Sequence, residues 1–198
     1  MPGNNWLALR RTEVAADRIL DAAGKLFTER DPGSIGMNEI ACAAGCSRAT
    51  LYRYFESREA LRNAYVHREA YRVHDEIKKQ LTGISDSRQR LIAGVTTTLR
   101  LVRESPALSS WFATKQAPIG GEVAEHSEVI NALAAGFLIS LGSEEPGAIE
   151  RRARWLVRII TSLLLFPSRD AADEAALIEE FVIPVVVSTG PVTAQPAQ

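Results

Sequence analysis

The sequence has 198 residues but only 2 cysteines, and both fall in one short stretch, at Cys42 and Cys46. Two thiols so placed build no disulfide framework, and they suit a reducing cytoplasm. An excess of one charge is lacking too. Lys and Arg number 23 against 24 Asp and Glu, a formal net charge of -1, so no bulk positive field marks a nucleic-acid partner. Any contact with a polyanion has to come from a local surface. No apolar run reaches the ~20 residues that cross a bilayer; the most apolar stretch, 155–166, is interrupted by Arg158, Thr161 and Ser162. The opening residues Met1, Pro2, Gly3, Asn4 and Asn5 lack the charged region and apolar run of a signal peptide. The expectation is a cytoplasmic protein with no membrane partner. Internal repeats and convincing strands are absent as well; 185–187 alone has strand propensity, and it has no partner segment.

What is present is a large apolar fraction, 46% of the chain, enough to bury a substantial core, and one short stretch with two unlike faces. Residues 47–55 read Ser-Arg-Ala-Thr-Leu-Tyr-Arg-Tyr-Phe. Leu51 and Phe55 sit four apart and can bury together on a helix. Arg48, Thr50, Tyr52, Arg53 and Tyr54 carry cationic or hydroxyl groups that a helix this short cannot all turn inward. Such groups suit phosphate oxygens and base edges. Upstream, 39–46 gives a small-residue helix ending at Gly45, and Ser47 is placed to cap the next helix. This is the outline of a helix-turn-helix.

Ile40-Ala41, Ala44-Gly45, Ser47 and Leu51-Tyr52-Arg53-Tyr54-Phe55, followed by Ser57-Arg58-Glu59-Ala60-Leu61, resemble the DNA-binding segment of the TetR family of transcriptional regulators. The resemblance runs from about Ile19 to about Leu61, and beyond it covers helical layout only. It implies an all-α fold: a three-helix DNA-binding domain over 1–56, and a larger helical effector-binding and dimerisation domain over 57–188. Residues 189–198 are expected to form a disordered tail. The resemblance further implies a homodimeric repressor on a palindromic site in double-stranded DNA, released when a small molecule occupies the larger domain. By position, Arg48, Ala49, Tyr52 and Arg53 are expected at base edges and Thr50, Tyr54 and Arg58 at phosphates, with Asn38 and Ser47 on the same surface. The chain departs from the family pattern at Asp31-Pro32, where a glycine and an aromatic are usual, and at Gly36, where a threonine hydroxyl is usual.

Read in order, 1–11 suggests a flexible arm with Arg10 and Arg11 as possible DNA contacts. From Thr12, apolar positions at Ala16, Ile19, Leu20, Ala23, Leu26 and Phe27 predict a first helix ending near Arg30, before Pro32. A second helix starts near 36–38. Ser57 is placed to cap a long helix to about Leu81, followed by a break at 82–86. A fifth helix, carrying Leu91, Val95, Leu99 and Val102, ends before Ser105-Pro106. Pro106 opens a short segment to Lys115, and 118–121 reads as punctuation. Val123 to Leu141 predicts one helix closed by Gly142. After Pro146-Gly147 comes a helix whose later part is apolar on nearly every side, which predicts burial all round. A second copy of the chain is expected to cover it, with Leu164 at the contact together with Phe181 from the last helix. That helix is expected over 171 to about 187, kinked or stopped by Pro184.

Two rival chemistries fit parts of the sequence. Cys42 and Cys46, or His67 and His74 two turns apart, suggest a redox- or metal-sensing regulator of the same fold. Cys46, however, falls where the family places an apolar core residue, and two turns is too wide for both imidazoles to reach one ion unaided. An all-α enzyme or small-molecule carrier needs a nucleophile with its base or a phosphate cradle. Ser109-Ser110 and Gly120-Gly121 are the only suggestions of either, outside the required strand-to-helix context. No metal, cofactor or catalytic residue is therefore expected. Trp111, Phe112, Phe137 and Trp155 read either as packed core or as the lining of a cavity for a small apolar effector, and the resemblance favours the cavity.

Overall fold

In the computed structural model the described residues are 5–112, 119–142 and 146–186, and every regular element among them is helical. Four helices come first: α1 Asn5–Glu29, α2 Met37–Ala44, α3 Arg48–Tyr54 and α4 Arg58–Gln80. The next are α5 Ser87–Glu104, α6 Pro106–Ser109 running into a 3-10 turn Ser110–Phe112, α7 Ile119–His126, α8 Glu128–Ser140 and α9 Pro146–Leu165. The last helical stretch is α10 Ala171–Leu177, a π turn Ile178–Val182 and α11 Ile183–Val186. No helix among the described residues is long and apolar enough to cross a membrane.

Side-chain caps set most of these boundaries. Ser57 Oγ accepts the Ala60 N–H at 2.9 Å, Asp86 accepts from Gln89 at 2.8 Å, and Ser127 accepts from Ile130 at 3.1 Å. Each cap satisfies a backbone donor that the first turn of a helix leaves unpaired, worth about 1 kcal/mol.

Four expectations need correction. The arm read at 1–11 is helical from Asn5 onward. Leu7, Ala8, Leu9, Arg10 and Arg11 are strong helix formers with nothing to break them before Thr12; residues 1–4 lie outside the described residues. The punctuation read at 118–121 is partly helix, since Gly120 and Gly121 lie within α7. The single helix read from Val123 to Leu141 is two, because Ser127 caps a fresh start. Pro184 does not stop the last helix. A π turn just before it lets the Ile183 N–H reach the Ile178 carbonyl, and the proline sits in the first turn of α11, where its missing N–H costs nothing. The tail at 189–198 and the end of the sixth segment at Lys115 lie outside the described residues.

The core has two parts. The first gathers Ile19, Leu20, Ala23 and Phe27 of α1 with Ile40, Leu51, Leu61 and Tyr65, and it also takes in Ala107 and Trp111 from the α6 region. The second joins Leu91, Val95 and Leu99 of α5, Leu138 of α8, Leu156 and Leu163 of α9, and Ile178 and Val182. Burying each Leu or Phe contributes ~1.5–3 kcal/mol. Helix α4 runs between the two parts. Arg103 braces the second: its guanidinium donates to Glu174 at 2.6 Å and 3.2 Å and to the Leu163 carbonyl at 3.0 Å, tying α5 to α9 and α10.

Candidate nucleic-acid interface and ligand cavity

The turn between α2 and α3 is built by Gly45, whose left-handed φ of 67° only glycine adopts without strain. Its N–H donates to the Cys42 carbonyl at 3.1 Å and the Cys46 N–H to Ala41 at 3.0 Å, closing the end of α2. Ser47 then starts α3: its Oγ accepts the Thr50 N–H at 3.1 Å and lies 2.9 Å from the Thr50 hydroxyl. Leu51 is wholly buried and Phe55 nearly so, which fixes the rotation of α3 about its axis. Arg48, Ala49, Tyr52 and Arg53 consequently face outward.

The guanidinium of Arg48 lies 5.3 Å over the Tyr52 ring and that of Arg53 lies 5.4 Å over Tyr54. These stackings hold two cations on an outer face without neutralising them. Tyr54 is half-buried against the first core. Asn38 is exposed on the first turn of α2. Arg58, at the start of α4, donates to the Gly33 carbonyl at 3.1 Å and so ties α4 to the turn rebuilt around Pro32-Gly33. All nine residues expected at DNA thus lie on α2, on α3 with its capping Ser47, or at the start of α4.

Gly36 caps α2 without a hydroxyl. Its N–H donates instead to Glu39 Oε2 at 2.8 Å, and Arg30 pairs with the same carboxylate from the end of α1. The backbone hydrogen bond first, and Arg30 second, hold the Glu39 carboxyl below the usual carboxylate range.

The larger half holds a partly open cavity of about 180 Å³. Trp111, Phe112 and Phe137 are among the residues that line it. Trp155 is not among the lining residues and packs against the second core; its neighbours Leu156, Val157 and Ile160 face the cavity instead. Leu164, expected at a contact between copies, also lines the cavity, whereas Phe181 is 55% exposed. The reading from sequence missed the wall supplied by α4: Val66, Val73 and Ile77, with Glu69 and His74 beside them. The signal was available, since these valines and the isoleucine recur at seven and four on an otherwise charged helix.

Polar groups in the wall are few. Glu69 accepts from Arg72 at 2.8 Å and pairs with Arg68 at 3.4 Å. Burial pushes His74 below the ordinary histidine value, and Lys78 adds to this, so its imidazole is neutral at neutral pH. Burial first, then the nearby Glu69 charge, raises the Tyr65 phenol to about 12. His67 lies 3.1 Å from the Ser127 hydroxyl, and burial lowers its pKa as well. Cys42 is exposed and Cys46 half-buried against the first core. No group of three or more His, Cys, Asp or Glu able to hold a metal occurs among the described residues.

A helix-turn-helix with an outward cationic face, joined by one long helix to a helical half holding an apolar cavity, defines a DNA-binding transcriptional regulator. A family description, bacterial regulatory proteins of the tetR family, matches residues 19–65. An HTH-type transcriptional regulator of Mycobacterium tuberculosis is 64% identical over 186 residues, covering 94% of this chain and 92% of the relative. The chain belongs to the TetR family of transcriptional regulators. Two solved structures share the fold. The Rhodococcus erythropolis repressor QsdR, 19% identical, matches with a TM-score of 0.66 over 90% of this chain and 97% of that one. The Thermus thermophilus repressor FadR in complex with lauroyl-CoA, 22% identical, matches with a TM-score of 0.62 over 92% and 98%.

Proposed function

We propose that this regulator is a homodimeric repressor. It binds a palindromic operator through α3 and leaves it when a small, mainly apolar molecule fills the cavity. The observation that carries this reading is the double role of α4. Leu61 and Tyr65 pack its N-terminal part into the DNA-binding core, and from Val66 onward Val66, Val73 and Ile77 wall the cavity. An effector pressing on that wall favours a conformer in which α4 carries the two α3 helices to a separation that no longer fits successive major grooves, ~34–36 Å apart. The complex of the Thermus thermophilus repressor with lauroyl-CoA, a ligand whose acyl part is apolar, supports an apolar occupant.

In this reading Arg48, Ala49, Tyr52 and Arg53 meet base edges and Thr50, Tyr54 and Arg58 meet phosphates, with Asn38 and Ser47 on the same surface. The protein acts in the cytoplasm without catalysis of its own. The exposed Phe166, Leu177, Phe181 and Val185 supply the apolar surface that a second copy covers. Sequencing the genomic fragments that the purified protein retains tests the proposal. An inverted repeat shared by those fragments is expected; retention without a common sequence, or a protein monomeric at micromolar concentration, overturns it.

A further inference from the structure

Trp111 belongs to both halves of the molecule. It is 3% exposed and lines the cavity, yet its buried neighbours are in the DNA-binding core. Phe27 of α1 meets the indole edge-on with ring centroids 5.4 Å apart, and Tyr65 of α4 lies parallel to it at 6.2 Å. Phe27 and Tyr65 themselves meet edge-on at 5.0 Å. Gly24 makes room for this cluster, because a Cβ there would stand 2.9 Å from Cε2 of Tyr65. On the opposite side α7 presses on the same turn: a Cβ at Gly120 would stand 2.8 Å from the Trp111 carbonyl oxygen. Helix α7 thus packs on the backbone of this turn, while Phe27 and Tyr65 pack on the indole itself, so any turn of the ring is felt by Phe27 and Tyr65.

The indole N–H is buried and meets no acceptor among the described residues. A buried donor without an acceptor is costly, and native proteins keep such groups rarely. Here it belongs to a wall residue of a cavity that is otherwise almost wholly apolar. A wall this apolar disfavours an anionic group, whose lost hydration it does not replace.

We infer that Trp111 is the specificity-determining residue of the cavity: the effector is an apolar molecule bearing a neutral carbonyl, which takes the free indole N–H. This rests on the cavity being the effector site. Because Nε1 is buried in the present conformer, the carbonyl reaches it only when the ring turns, and that turn loosens the packing on Phe27 and Tyr65. The carbonyl therefore binds one conformer better than the other, which is what a switch requires. A plain hydrocarbon of the same length fills the cavity without that preference.

The test uses the full chain with decan-2-one and decane, each displacing the neutral fluorescent dye N-phenyl-1-naphthylamine, in the parent and in Trp111→Phe, which keeps a packed ring and removes the N–H. Decan-2-one affinity is expected to fall roughly fivefold more than decane affinity in the variant, the change in decane affinity measuring the altered packing alone. In the parent, decan-2-one but not decane should speed hydrogen exchange of the α1 amides at 19–27. Equal changes for both ligands, or α1 exchange that does not distinguish them, overturns the inference and leaves the effector site standing. Failure of both ligands to displace the dye from the parent overturns both. If Trp111→Phe does not fold, the exchange measurement on the parent decides alone.

Discussion

Phe137 lies so close across Gly94 that a methyl group on the glycine would stand 2.6 Å from Cζ of the ring. The residue facing the aromatic has no side chain, and this is how α5 and α8 approach while the ring still borders the cavity. In Gly94→Ala the ring has to swing aside, and open space for its far end lies in the cavity. Alanine gains about 1 kcal/mol of helix propensity over glycine, which offsets the displaced contact, so the variant should melt close to the parent. Its affinity for an apolar ligand should fall several-fold by dye displacement. An unchanged affinity would mean that the ring moves away from the cavity.

The proposed DNA surface combines two kinds of contact, one on α3 and one at the start of α4. Arg48→Ala removes a cation expected at a base edge, worth ~1–3 kcal/mol. It should weaken operator binding about tenfold and relax the preference at one position in each half-site. Arg58→Ala should weaken binding to every sequence and flatten the salt dependence. The same substitution cuts the bond to the Gly33 carbonyl, so a lowered melting temperature should accompany it. Affinity measured against salt concentration distinguishes the two.

The Arg103 and Glu174 pair should matter for stability rather than for DNA. Glu174 is 9% exposed and accepts both guanidinium bonds from Arg103. Glu174→Ala leaves that guanidinium with the Leu163 carbonyl alone, a loss of about 2 kcal/mol in urea unfolding. The partly exposed arginine limits the penalty. A loss below a few tenths of a kcal/mol would show that water replaces the carboxylate at no cost.

Acid should loosen the junction of α1 with α2. The folded-state pKa of Glu39 lies below its unfolded value because the Gly36 N–H and Arg30 favour the carboxylate. The stability it contributes is therefore present above about pH 4.5, the unfolded value, and is lost as pH falls through the lower folded value. Glu39→Gln should melt below the parent at pH 7, and the gap should narrow steadily from pH 5 to pH 3. A gap constant across that range would exclude Glu39 as its source.

The DNA-binding half was legible in the sequence because its determinants are local. Gly45, Ser47 and the pair Leu51 and Phe55 each act within one turn of chain. Ser57 and Pro106 were legible for the same reason. What escaped the sequence depends on contacts between distant segments. Gly120 reads as a turn residue, yet it is helical and small because the Trp111 carbonyl stands against it. The cap at Ser127 was hidden inside a continuous apolar pattern. Trp155 looked like its aromatic neighbours in composition, but which face of α9 meets the cavity is set by the packing of α8 and α5, which no spacing within α9 reveals.

Coupling between the cavity and the operator is open to one direct measurement. A labelled fragment that the protein retains is titrated with the full chain, and its fluorescence anisotropy is followed without ligand and with saturating decan-2-one, occupancy being verified by dye displacement. The account predicts that operator affinity falls at least tenfold when the cavity is filled, a coupling of about 1.4 kcal/mol. A filled cavity with unchanged operator affinity would contradict it.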